Sequence, residues 1–414
     1  MFTIAGGVTS PKGFRAGGVS CGIKRSGRPD LALLLSDGEA SAAGVFTTNI
    51  VRAAPVLLGE EILRRHGGRA VGVLTVSGVA NALTGEDGLH DNRTLLAAAE
   101  ERWKLPSESL LPACTGLIGP RIPLDKALAG LAPLAEVLTS DRVGAERAAH
   151  AILTTDTRSK EAAVRTRLSD GTVVRVGGMA KGSGMIAPKL ALPHATTLAY
   201  LTTDAQVGSA ALGRILARGT DATFNMLSVD GDTSTNDTIY AFANGQAGGP
   251  PADDDPALAS AFHAVLESLA RQVARDGEGA TKLLTVRVHG ARSVGDARLA
   301  ARAVVSSTLV KAALFGADPN VGRIAAALGY SGARLDPMTL DVTLDRARQP
   351  VPLIVGGRPA PGLENGGGAR VRDLLRQLDE VPLDIHLHAG RSNATAWGCD
   401  LSYAYVQINA AYHT

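Results

Sequence analysis

Short apolar runs, each closed by glycine, dominate the first half of the chain. "RAVGVLTVSG" (69–78) is rich in Val and Leu and stops at Gly78, a buried-strand pattern. "TVVRVGGMAKGSGMIAP" (172–188) begins the same way and passes into a glycine-rich loop. "TLAYLTT" (197–203) reads equally as a strand or a buried helical turn, because periodicity does not separate the two in so short a run. "LDKALAGLAPLAEVL" (124–138) and "AERAAHAIL" (145–153) predict helices. "GGPPADDDP" (248–256) is the clearest surface loop. After it, Leu258, Phe262, Val265, Leu266, Leu269 and Val273 fall on one face of an amphipathic helix. That helix is expected to end near Asp276-Gly277, with Gly277 in the left-handed position beyond its last turn. "TKLLTVRVHGA" (281–291) then alternates like a half-buried strand. A boundary near 280 divides the chain into residues 1–280 and a smaller domain, 281–414. "LTTDT" (153–157) and "LTTDA" (201–205) echo each other, but over too few residues to be a repeat.

Composition narrows the class. At 414 residues the chain is long for one core, and charged residues make up 20% of it, so a large interior is affordable. The 42 basic and 40 acidic residues nearly cancel, which gives no reason to expect nucleic acid or an anionic membrane as partner. Aromatics are 4%, too few for single-strand stacking platforms. The glycines sit between apolar runs, as in an α/β protein with many tight turns. Cys21, Cys114 and Cys399 are widely spaced and form no disulfide or zinc pattern. The N-terminal stretch lacks a signal peptide's apolar core and no run approaches a membrane span, so the expectation is a soluble cytoplasmic protein.

Familiar catalytic signatures are missing: Gly-x-Ser-x-Gly, His-Glu-x-x-His and the P-loop do not occur, and the nine histidines do not cluster as metal ligands would. "GGG" (366–368) has no lysine after it and reads as a turn. Subtler candidates remain. In "CTGLIG" the Thr115 hydroxyl and Gly116 N–H suit an oxyanion hole, although spacing alone favours a plain turn. Lys181, framed by small residues in "MAKGSGM", suits a carboxylate; an exposed loop lysine is the alternative. Glu278 in "RDGEGATK" suits an ammonium; a solvated loop glutamate is the alternative. "SVDGDTSTNDT" (228–238) is misspaced for an EF-hand and reads as caps and turns. "ADPNVGR" (317–323) is a turn leading to Arg323. In "LPHATTLAYLTTDA" the adjacent Thr196 and Thr197 place two hydroxyls in apolar surroundings, as packing, cap or nucleophile.

Taken in order along the chain, these segments resemble one family, the ornithine acetyltransferases (glutamate N-acetyltransferases) of arginine biosynthesis. The likeness runs through "GGVTSPKGFRAGGVSCGIKRSG", "SGVANALTG", "CTGLIG", "ILTTDT", "GGMAKGSGMIAP", "DGDTSTNDT", "DGEGATK" and "LVKAALFGADPNVGR" to "GCDLSYAYVQINAAYHT". The resemblance implies an α/β fold, a layered sandwich of sheets and helices with a smaller C-terminal α/β domain. It also implies a precursor that cleaves itself between Ala195 and Thr196. Thr196 then becomes the N-terminus and nucleophile of the second fragment, Thr115 and Gly116 form the oxyanion hole, and Thr154, Lys181, Thr196, Glu278, Asn409 and Thr414 contact substrate. A threonine hydroxyl is a weak nucleophile until a base takes its proton. The α-amine freed on the same residue, with a reference pKa of about 8, can serve as that base. Acetyl would pass from N-acetylornithine to Thr196 and on to glutamate, with no metal or bound cofactor and with acetyl-CoA as a further substrate in bifunctional members. The implied partners are amino-acid substrates and a heterotetramer of two N-terminal and two C-terminal fragments. Four residues more than the family's usual spacing separate Lys181 from Thr196, within "KLALPH". Val76, Val79 and Val321 replace the usual asparagines and tryptophan, and Thr197 the usual methionine. Two rival readings share these residues: an amidohydrolase with water as acceptor, and an unprocessed paralogue in a specialised pathway.

Overall fold

The computed structural model describes residues 1–187, 190–191, 197–345, 350–363 and 368–411. Ala195, Thr196 and Thr414 lie outside them, as does most of "KLALPH". The chain opens with β1 (Phe2–Ile4), β2 (Phe14–Val19), β3 (Leu31–Thr47), α1 (Ala54–Arg65), β4 (Arg69–Val79), α2 (Gly85–Trp103), β5 (Leu110–Leu117), α3 (Leu124–Val137) and α4 (Arg142–Ala151). It continues with β6 (Lys160–Arg167), β7 (Val173–Lys181), β8 (Leu190–Ala191), β9 (Leu198–Thr203), α5 (Ser209–Ala222), β10 (Leu227–Ser228), β11 (Thr238–Ala243) and α6 (Pro256–Arg275). The last third holds β12 (Leu283–Ala291), α7 (Val294–Ser306), α8 (Thr308–Phe315), α9 (Val321–Gly329), β13 (Asp341–Leu344), β14 (Val351–Val355), β15 (Arg358–Pro359), α10 (Ala369–Gln377), β16 (Glu380–His386), β17 (Ser392–Cys399) and α11 (Tyr403–Ala410).

Two mixed sheets organise these elements. The first runs β1-β6-β7-β9-β11-β3-β4-β5, with β2 and β8 also on β3. The second runs β10-β17-β12-β16-β13-β14-β15, so β10 is its one described strand from before residue 280. Successive side chains of a strand face opposite ways. On β9, Leu198 and Tyr200 enter one core while Ala199 and Leu201 enter the other. On β11, Tyr240 and Phe242 separate in the same manner from Ile239 and Ala241. Both faces of the sheet are therefore covered, which is why "TLAYLTT" is buried at every position and, as a strand, shows no alternation. Helices α1 to α4 bury their inner faces in one core, through residues such as Ile62, Leu95, Leu131 and Ala148. The other core, under α5 and α6, continues without a break into the second sheet and α7. Helix α6 touches β6 and β7 of the first sheet and β17 of the second. The result is a layered α/β sandwich.

The α6 stripe is as the sequence predicts: Leu258, Phe262, Val265, Leu266, Leu269 and Val273 are all fully buried. Each such side chain contributes about 1.5–3 kcal/mol. Asp255 caps the helix, its carboxylate accepting from the backbone N–H of Ala257 and Leu258 at 2.8 and 3.2 Å. The C-terminal end differs from expectation. Gly277 does not take a left-handed conformation; Gly279 does, at φ +69°. Gly277 is needed because a Cβ there would press on Cys399 Sγ and Val229. Strand β12 is also more buried than its alternation suggested, since β16 and β17 flank it and core packs against it. Among the described residues no helix is long and apolar enough to cross a membrane.

Candidate active site

One corner of the site is built from backbone. Strands β4 and β5 run parallel, and their register slips where Gly78 faces Gly116. Gly116 sits at φ +134°, and a Cβ there would overlap the Gly78 carbonyl and the Val79 nitrogen. Only glycine permits this approach. Asn236 pins the corner from the opposite side: its Nδ2 donates to the carbonyls of Ala80 and Cys114 at 2.5 and 2.9 Å. Its Oδ1 accepts from Thr235 Oγ1 at 2.6 Å. The Cys114–Thr115 peptide plane is thus fixed, and Thr115 and Gly116 are held at the cavity edge.

The facing wall is charged. Lys181 is the last residue of β7 and pairs in register with Leu198 at the start of β9. It is 8% exposed, so the loop-lysine alternative fails. Its Nζ lies 4.0 Å from Asp156 Oδ2. Asp156 Oδ1 accepts from Lys160 Nζ at 2.6 Å and from the Gly182 N–H at 2.7 Å, while Oδ2 accepts from the Thr154 N–H at 3.0 Å. Burial alone would raise this carboxyl; the charges of Lys181 and Lys160, with those hydrogen bonds, hold it well below the usual carboxylate range. Glu278 follows α6. Its N–H donates to the Ser183 carbonyl at 3.0 Å, and its Oε2 accepts from Asn409 Nδ2 on α11 at 2.8 Å. Gly184 leaves the space that the Glu278 carboxylate occupies. Glu278 is 8% exposed, which sets aside the solvated-loop alternative.

Thr115 and Gly116 on β5, with Thr154, Lys181, Glu278 and Asn409, come from five separate segments and all line one cavity of about 360 Å³. Leu198 lines it too; Thr197 does not, and its hydroxyl is buried without a hydrogen-bond partner. Arg323 lies outside, in the first turn of α9, donating to the Leu309 carbonyl at 2.9 Å. The "SVDGDTSTNDT" segment is not merely turns. Asp230 accepts from the N–H groups of Met185 and Ile186, and Asp237 reaches the cavity. Burial raises the Asp237 carboxyl well above its ordinary range despite Lys181 nearby. No sequence motif marks Asp156, Lys160, Asn236, Asp237 or Asp276 as site residues. The one available signal was Asp156 four residues before Lys160 in "DTRSK". Among the described residues no group of three potential ligands could hold a metal ion.

A backbone corner that can hold an oxyanion, set across a small cavity from a lysine and a glutamate, is an arrangement that suits acyl transfer on amino-acid-sized molecules. Residues 15–414 match the ArgJ family. The chain is 48% identical to the arginine biosynthesis bifunctional protein ArgJ of Symbiobacterium thermophilum, with 100% of both chains covered. It is 44% identical to the chloroplastic protein of that name from Zea mays, covering 99% of this chain and 88% of that one. Among solved structures, the ornithine acetyltransferase of Mycobacterium tuberculosis complexed with ornithine is 44% identical, with a TM-score of 0.43, covering 46% of this chain and 99% of that chain. The chain belongs to the ArgJ family. The resemblance drawn from its motifs is borne out, and with it the α/β fold class and the assignment as an acetyltransferase of arginine biosynthesis. The hydrolase and paralogue readings are not favoured.

Proposed function

We propose that the cavity binds N-acetylornithine and glutamate in turn, and that Thr196 carries acetyl between them after the chain cleaves itself between Ala195 and Thr196. The observation that carries this reading is the convergence of Thr115, Gly116, Thr154, Lys181, Glu278 and Asn409 on one cavity that Leu198, two residues after Thr196, also lines. In the first half-reaction the Thr196 hydroxyl attacks the acetyl carbonyl, its proton passing to the α-amine of the same residue. The tetrahedral oxyanion is held by the Thr115 hydroxyl and the Gly116 N–H; the carbon–nitrogen bond then breaks and ornithine leaves with the proton. In the second, the amine of glutamate attacks the acetyl ester by the reverse route. Lys181 takes the α-carboxylate of either substrate. Glu278, oriented by Asn409, takes the side-chain ammonium of ornithine. Thr414 completes the contacts. Thr197 is the weaker candidate of the threonine pair, because its hydroxyl is buried and does not line the cavity.

Cleavage leaves the two fragments joined through six register pairs between β7 and β9, from Val176↔Thr203 to Lys181↔Leu198, and through β3 against β11. Two copies of each fragment form a heterotetramer in the cytoplasm. The chemistry needs no metal and no bound cofactor; acetyl-CoA serves as a second acetyl donor to glutamate. The test is transfer of labelled acetyl from N-acetylornithine to glutamate by purified protein, with the native mass measured alongside. Labelled N-acetylglutamate in step with ornithine release supports the reading. Release of free acetate regardless of glutamate overturns it.

A further inference from the structure

Lys160 has no exposed surface, and the reaction just described does not use it. A lysine removed from water is costly unless its charge is met. Here it is met twice, by Asp156 Oδ1 and Asp276 Oδ2, each 2.6 Å from Nζ. Asp276 also accepts from the Thr157 N–H at 3.0 Å and from the Thr157 hydroxyl, and its carbonyl accepts from Ser183 Oγ at 2.7 Å. Three loops therefore meet at one ammonium: the one bearing Thr154, the one after Lys181 and the one bearing Glu278.

The placement of Lys181 gives the cluster its meaning. Asp156 spends its oxygens on Lys160, Gly182 N–H and Thr154 N–H, all within hydrogen-bond distance, and holds Lys181 only at 4.0 Å. That separation leaves Lys181 unbonded to Asp156 and lining the cavity. With methionine in place of Lys160, Asp276 would keep the Arg158 guanidinium, whose Nε lies 3.8 Å from Oδ1, whereas Asp156 would have Lys181 as its ion partner, about an ångström from hydrogen-bond distance. We infer that Lys160 is a specificity-determining positioning residue: by neutralising Asp156 and Asp276 it leaves Lys181 free for the substrate's α-carboxylate. The inference rests on the proposed role of Lys181.

The experiment compares N-acetylornithine with its α-carboxamide and reads the ratio of kcat/KM for acid over amide. That ratio does not depend on how much of the enzyme is processed or active. Wild type favours the acid, and Lys181→Met abolishes the preference. Lys160→Met lowers the ratio by about tenfold or more. Asp276→Asn lets the asparagine Oδ1 accept from Lys160 and its Nδ2 donate to Thr157, and removes one competing charge, so it keeps a ratio at least equal to wild type. Should Lys160→Met not fold or not cleave, Asp276→Asn decides, because a tenfold fall there overturns the inference. So does a Lys160→Met enzyme that slows equally on acid and amide, as a purely structural lysine would. A wild type with no preference overturns the role of Lys181 itself, whereas a preference that Lys160→Met leaves intact overturns only the role of Lys160.

Discussion

Asp156 and Asp237 are both buried, both feel the charge of Lys181, and are shifted in opposite directions. Asp156 belongs to the charged wall. Both its oxygens are occupied, by an ammonium and two backbone N–H groups, and it is held ionised. Asp237 belongs to the neutral corner, beside Asn236. Ser234 donates to its carboxyl, but Oδ2 has no partner, and burial pushes it toward the protonated form. The lesson is about partners rather than depth. The wall proposed to meet charged substrate groups is built of compensated charge. The corner proposed to hold the transient oxyanion is built of glycine, amide and hydroxyl, and burial pushes the nearby acid toward the form that would not oppose a developing anion.

The largest effect is expected at the corner. Thr115→Ala removes a donor to the developing oxyanion, and kcat should fall by roughly 10²–10³, while a melting curve moves little. An equally active enzyme would make Thr115 a turn residue only. At the wall, Glu278→Gln keeps an acceptor for Asn409 and removes the charge. Loss of a desolvated charge partner costs about 2–5 kcal/mol, so kcat/KM for N-acetylornithine should drop by about thirtyfold or more while cleavage continues; unchanged kinetics would remove Glu278 from the site.

Smaller effects separate the two aspartates by pH. Asp156 is depressed in the folded state, so the unfolded chain takes up its proton first. The stability Asp156 contributes is present above the ordinary carboxylate pKa of about 4 and is lost as pH falls below it toward the folded value. Thermal melts from pH 7 to pH 3 should show that loss; Asp156→Ala should melt lower than wild type at pH 7 and approach it at pH 3. Asp237 carries the opposite sign. Its raised carboxyl contributes stability below about 4, lost as pH rises through the folded value. Asp237→Asn should therefore melt higher than wild type at pH 9, by about 1 °C for each kcal/mol relieved in a chain of 414 residues, and nearly the same at pH 4. A lower melting temperature at pH 9 would mean that Asp237 is a paired anion.

Much of this was legible in the sequence, and the failures have physical causes. Strands β4 and β7 and helices α3, α4 and α6 announce themselves, because glycine breaks and one-sided apolar stripes survive as patterns. β9 was ambiguous because burial on both faces erases the alternation that marks a strand. Gly277 and Gly279 were confused because sequence shows a glycine but not whether a positive φ or a crowded Cβ demands it. Lys181 and Glu278 were legible as candidates, yet their burial was not, since a charged residue beside glycine reads as a solvated loop. Lys160 is hidden for a different reason: the spacing to Asp156 hints at one partner, but the second, Asp276, lies 116 residues away. Asn236 was passed over in a segment that read as turns, although its amide sets the corner's geometry.

Whether Thr196 carries the acetyl group is decided by intact-mass spectrometry. Purified protein is mixed with N-acetylornithine in the absence of glutamate, quenched in acid and resolved into its chains. The account predicts two chains, residues 1–195 and 196–414, with one acetyl group on the second chain. Fragmentation should place that group on its N-terminal threonine, and addition of glutamate should discharge it. An uncleaved chain that still transfers acetyl, a second chain beginning at Thr197, or acetyl on any other residue would contradict it.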